Sequence, residues 1–161
     1  MMSEANRSLV ALGIALAICY AAAAIGGLVT APAIPGWYET LRKPPFNPPN
    51  GVFGPVWTVL YTMMALAVWL VWKAPAPAPQ RRLAFLAFAV QLVLNVAWSV
   101  VFFGLQSPWG GVLVIIALIA AVVGTMFAFA PISRNAALLL APYLAWIAFA
   151  SVLNLWIAAL N

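Results

Sequence analysis

The sequence predicts an all-α membrane protein: a five-transmembrane-helix bundle in which an ordered first loop caps a pocket. Three observations predict it. Of the 161 residues, 67% are hydrophobic and only 6% are charged, whereas a soluble domain carries about a quarter charged residues to solvate its surface. Apolar stretches long enough to cross about 30 Å of hydrocarbon occupy residues 9–30, 52–72, 83–105, 109–130 and 136–160. These stretches are continuous and rich in Ala, Leu and Val, where a transmembrane barrel shows short alternating segments. The chain reads as one domain, 1–161, with no soluble part large enough to act alone.

The first span, Leu9–Thr30, follows Arg7. A cleavable signal peptide is the rival reading, but the apolar run is about twice the usual length of such a core, and Pro32 sits inside the only small-residue site. The connection that follows, Ala31–Gly51, differs from the others. It gathers Trp37, Tyr38, Glu39, Arg42, Lys43 and Phe46 with prolines at 32, 35, 44, 45, 48 and 49. A linker does not concentrate aromatic residues in this way. Its composition suits an ordered lid over one end of the bundle and equally an interfacial anchor in the headgroup layer.

The second and third spans, Val52–Trp72 and Leu83–Leu105, flank Lys73–Arg82. Within that connection Ala74–Pro79 alternates Ala and Pro and is expected to form a stiff polyproline-like spacer. Gln106–Pro108 leads into the fourth span, and Pro131–Asn135 into the fifth.

The basic residues lie at span ends. Arg7, Lys73, Arg81, Arg82 and Arg134 fall on the N-terminal side, and Arg42 and Lys43 on the other. In a cytoplasmic membrane this bias places the N-terminus in the cytoplasm and the lid outside; the choice between a bacterial inner and outer membrane stays open. Scattered cations form no nucleic-acid face. The chain has no histidine, one cysteine (Cys19) and two carboxylates (Glu4 and Glu39), an inventory that offers no metal cluster and no ordinary acid–base pair. Enzymatic activity is therefore weighed below binding.

Polar and aromatic residues inside the spans recur at helical spacing. Trp57, Tyr61 and Met64 share a face of the second span; Gln91, Asn95, Trp98 and Phe102 one of the third; Tyr143, Trp146, Ala150 and Asn154 one of the fifth. Amides facing lipid leave hydrogen-bonding groups unpaired, so these faces are expected to point inward. There they serve as interhelical glue or as the wall of a pocket for a flat, largely apolar ligand. Small-residue rows at Gly13/Ala17/Ala21, Ala120/Gly124 and Ala84/Ala87/Gln91 offer faces for close helix approach.

Three blocks carry a family resemblance: Trp37–Pro49 (WYETLRKPPFNPP) continuing through Gly54–Tyr61 (GPVWTVLY), Gln91–Gly104 (QLVLNVAWSVVFFG), and Pro142–Asn154 (PYLAWIAFASVLN). In order and spacing the chain resembles the translocator protein family, also called tryptophan-rich sensory proteins or peripheral-type benzodiazepine receptors, over nearly its whole length. The resemblance implies a homodimer of five-helix bundles. Its pocket, closed by the first loop, is known in the family for porphyrins such as protoporphyrin IX and haem, for sterols in animal members, and for synthetic isoquinolines and benzodiazepines. It implies ligand-binding roles for Gly27, Trp57, Tyr61, Asn95, Trp98, Trp146, Ala150 and Leu153, and lid roles for Trp37, Pro45 and Pro48. The implied function is that of a membrane receptor, sensor or carrier for tetrapyrroles, regulating tetrapyrrole or stress metabolism. Light-dependent porphyrin degradation, with Trp57 and Trp146 as photochemical candidates, and small-molecule or sterol transport are the alternatives. No obligatory cofactor or metal is implied; porphyrin or haem enters as ligand, and a sterol or lipid is a further candidate.

Two departures stand out. Asn154 is followed by Leu155 and Trp156 where animal members carry tyrosine and arginine, a proposed sterol motif. Phe46 replaces the tryptophan common in the loop block.

Overall fold

The computed structural model describes residues 3–161, so the first two residues of the expected domain 1–161 lie outside the described residues. Helix α1 spans Glu4–Thr30, α2 Asn50–Lys73, α3 Ala78–Ser99, α4 Pro108–Phe129, α5 Arg134–Leu139 and α6 Ala141–Leu160. Together they make five helical runs long and apolar enough to cross a membrane, with α5 and α6 sharing the fifth. This is the five-helix bundle expected from hydropathy. In contact order α1 packs on α2 and α3, and α4 lies between α3 and α6.

Local chemistry sets the ends. Ser3, Ser107 and Ser133 each accept a hydrogen bond from the backbone N–H three residues on, capping α1, α4 and α5. Only Ala74–Pro77 stays non-helical between α2 and α3, so the expected spacer Ala74–Pro79 is shorter than its composition suggests. Pro79 instead occupies the first turn of α3, where a missing N–H costs nothing. The fifth span breaks at Leu140 because Pro142 supplies no N–H for the next helical bond and crowds the turn before it.

The connection expected as a loop is half helix. After Thr30 the chain runs on through a 3₁₀ turn, Ala31–Ala33, and a π-helical turn, Ile34–Tyr38, so the first span reaches Tyr38. A second π turn, Val100–Gly104, extends α3, closed by the Leu105 N–H on the Val100 carbonyl at 2.8 Å. The two wide turns pack together: Trp37 meets Phe102 edge-on at 5.5 Å, and Tyr38 meets Phe103 at 5.5 Å.

The core lies towards the opposite end, around Met64, Ala65, Val71, Ala84 and Leu140, all fully buried. The buried stripe of α1 is Ala15, Cys19, Ala22 and Gly26. Gly13, Ala17 and Ala21 instead face outward, as do Ala120 and Gly124; a Cβ at Gly13 or Gly124 meets nothing within 4 Å. Of the expected contact rows only Ala84 and Gln91 are buried in the bundle.

Candidate functional site

A cavity of about 460 Å³ opens at the lid end of the bundle, with walls from α1, α2, the α3 end and α6. Rings dominate it. Phe53 and Trp57 come from α2, Trp98, Phe102 and Phe103 from α3 and its π turn, and Trp146 from α6. Trp98 and Phe102 stack at 5.3 Å with their planes 16° apart, and Phe53 meets Trp146 edge-on at 5.8 Å. Among the described residues, no carboxylate, amine or guanidinium lies on the wall.

Two amide networks hold these rings. At the inner end the Tyr61 hydroxyl donates to Asn95 Oδ1 at 2.6 Å, while Asn95 Nδ2 donates to the Tyr143 hydroxyl at 2.7 Å. This ties α2, α3 and α6 together through buried groups, where a lost partner leaves a polar atom unpaired. Nearer the mouth, Trp98 Nε1 donates to Asn154 Oδ1 at 3.0 Å, and Asn154 Nδ2 donates to the Pro108 carbonyl at 2.8 Å. Interhelical glue and pocket wall, opposed as readings of the sequence, are here the same residues. Each polar atom of Asn95 has a protein partner, so the wall it presents to a ligand is held in place.

Of the residues expected at the site, Gly27, Trp57, Tyr61, Asn95, Trp98, Trp146, Ala150 and Leu153 line the cavity. Trp37, Pro45 and Pro48 do not. Trp37 packs edge-on against Phe102 and Phe103, and its neighbour Tyr38, in the same π turn, lines the cavity. Met64 and Gln91 continue their stripes into the core, where Gln91 Nε2 contacts Met64 Sδ at 3.8 Å and Gln91 Oε1 is buried without a partner. Phe53, Phe103, Tyr20 and Ser99 are wall residues the sequence reading passed over. Phe53 had a signal, since it continues the Trp57–Tyr61 stripe by one turn. Tyr20 pairs with Thr62 at 2.7 Å; the Thr62 hydroxyl already donates to the Thr58 carbonyl, so Tyr20 is the donor.

The non-helical part of the lid is fastened to α6. Asn161 Oδ1 accepts the Arg42 N–H at 2.9 Å, and Asn161 Nδ2 donates to the Arg42 carbonyl at 3.0 Å. Phe46, standing where the family prefers tryptophan, meets Trp156 edge-on at 6.0 Å. Within the lid the Tyr38 hydroxyl donates to Asn47 Oδ1 at 3.1 Å. Replacing Asn161 with alanine removes both bonds to Arg42, worth about 1 kcal/mol together at an exposed position. Hydrogen exchange at the Arg42 and Asn47 amides is expected to accelerate about fivefold, with α3 unaffected. Unchanged exchange at both would show that the clamp does not hold the lid.

Comparison with known proteins agrees with this architecture. The family model described as the TspO/MBR family matches residues 15–160. The chain is 41% identical over 156 residues to the tryptophan-rich protein TspO of Chlorobaculum tepidum, covering 97% of this chain and 99% of that protein. It is 38% identical over 146 residues to the tryptophan-rich sensory protein of Cereibacter sphaeroides, covering 91% and 88%. With the human translocator protein it shares 39% identity over 119 residues, covering 73% and 70%. With five apolar spans and a family match over most of its length, the chain is an integral multi-pass membrane protein that belongs to the TspO/MBR family.

Proposed function

We propose that this protein binds tetrapyrroles such as protoporphyrin IX or haem in the cavity under the lid, acting as a membrane receptor, sensor or carrier in tetrapyrrole or stress metabolism. The observation that carries the reading is the cavity itself: about 460 Å³, ringed by aromatic side chains from four helices, uncharged, and opening at the lid end. That volume falls in the range of drug-sized ligand sites. Rings held at fixed angles favour a flat, apolar partner that stacks without reorganising the wall. The cavity also accommodates a sterol, but Leu155 and Trp156 follow Asn154, and neither is basic. The homodimer belongs to the same proposal, with the outward small-residue row of α1 as its candidate face.

The test is a titration of the purified protein in detergent with protoporphyrin IX, read by tryptophan fluorescence. Saturable quenching with one site per chain is expected, because Trp57, Trp98 and Trp146 all stand on the wall. Quenching that rises linearly without saturation would overturn the reading.

A second reading has its own observation: Trp57 and Trp146, the photochemical candidates, both face the cavity. Under light, dioxygen would be the oxidant and the porphyrin the reductant. A discrete product formed faster than with an unrelated membrane protein would establish it; bleaching at equal rates would dismiss it.

A further inference from the structure

We infer that Lys43 anchors the acidic substituents of the ligand, which makes the site selective for flat apolar bodies bearing a carboxylate. This deepens the tetrapyrrole reading and rests on it. The cavity wall carries no charge, and an ionised carboxylate enclosed among rings would be stripped of water with nothing to pair it. A ligand with acidic arms must therefore enter body first and leave those arms at the lid end.

One cation is built against the wall there. Lys43 Nζ sits 4.6 Å from the centre of the Tyr38 ring, and Tyr38 lines the cavity. The ammonium donates to the carbonyls of Leu41 at 3.2 Å and Glu39 at 3.4 Å. An ammonium has three N–H groups, so one remains for a ligand. The ring and the two carbonyls hold the charge beside Tyr38, and this reduces the entropy lost when a carboxylate meets it. Arg42 shares this end of the molecule, but its fixed atoms are backbone, clamped by Asn161. A neutral sterol gains nothing from Lys43, whereas a porphyrin with propionate arms does.

The experiment compares protoporphyrin IX with its dimethyl ester, the same ring system without ionised arms. In the unaltered protein the free acid is expected to bind about fivefold more tightly than the ester, the size of one partly exposed charge-assisted contact. Lys43→Gln should bring the ratio near one by weakening the acid alone, Lys43→Arg should keep it, and Arg42→Gln should leave it unchanged. Equal affinities for acid and ester in the unaltered protein would overturn the inference while leaving the cavity reading standing. So would a ratio that survives Lys43→Gln, or an equal change on Arg42→Gln, which marks general attraction at this end. Loss of ester binding in Lys43→Gln would show that the residue shapes the lid instead. Failure of both compounds to bind the unaltered protein would remove the parent reading and this one together.

Discussion

Replacing Ala150 with tryptophan is expected to abolish saturable porphyrin quenching while leaving the bundle folded. Ala150 is 9% exposed and stands on the α6 wall, one turn from Trp146 and in the same cavity as Trp57 and Trp98. An indole at this position enters space that no side chain occupies, so it competes with the ligand and not with the core. Overpacking of a filled interior costs about 1–3 kcal/mol; filling a void of about 460 Å³ avoids most of that. The apparent Kd should rise at least about tenfold, equivalent to about 1.4 kcal/mol, with the melting temperature in detergent changed by no more than about 3 °C. The added tryptophan is itself a reporter: buried among rings, it should emit to the blue. A titration like that of the unaltered protein would place the ligand elsewhere, because the added indole takes up the space that a flat ring system would fill. Melting depressed by ten degrees or more would instead mean that α6 cannot accept the side chain, and Ala150→Phe would then make the same test with a smaller ring.

Much of this site was legible because two signals, span hydropathy and helical repeat, carried it. The spans followed from length and hydropathy, and their ends differ from the observed helices mainly where capping serines and prolines add a turn. The Trp57–Tyr61, Asn95–Trp98 and Trp146–Ala150 faces followed from a repeat of about 3.6 residues, and all six residues reach the cavity. That same repeat hid Phe103. A π turn spends an extra residue per turn, so Phe102 and Phe103, adjacent in sequence and a third of a turn apart in an ordinary helix, both reach the wall. Tyr38 reaches the wall from the other π turn, while Trp37 packs on Phe102 without lining the cavity. Nothing in Ile34–Tyr38 announces a π turn in advance, and Pro35 and Gly36 argue for a loop. The turn persists through tertiary contact with the π turn at Val100–Gly104, which local propensity cannot register. The break at Leu140 was different: Pro142 was visible, and only the apolar run across it concealed the consequence.

Gly111→Ala should be among the most destabilising single-methyl changes in the protein, and it should reach the cavity through Asn154. An added Cβ at Gly111 would lie 2.7 Å from Asn154 Oδ1 and 2.8 Å from Phe102 Cδ2. Neither neighbour is free to move. Asn154 is 2% exposed and bridges Trp98 Nε1 to the Pro108 carbonyl, and Phe102, also 2% exposed, stacks on Trp98. Relieving the clash costs about 1–3 kcal/mol in displaced packing. Pulling Asn154 from its partners adds about 1 kcal/mol for each buried polar group left unpaired. A loss of about 2–4 kcal/mol is therefore expected, read as a melting temperature lower by about 5–15 °C in detergent. Gly124→Ala on the same helix is the internal control. A Cβ there meets nothing within 4 Å, and helix propensity favours alanine by about 1 kcal/mol, so stability should hold or rise. Equal losses at the two positions would show that α4 tolerates no added methyl anywhere, and that the Asn154 contact is not the cause. The functional consequence separates the cases further. Trp98 keeps its place on the wall through Asn154, so Gly111→Ala should weaken porphyrin quenching even below its melting transition, whereas Gly124→Ala should leave it intact. A cavity whose wall is held by amides has this liability: the hydrogen bonds that fix its rings also transmit to them any crowding of a neighbouring helix.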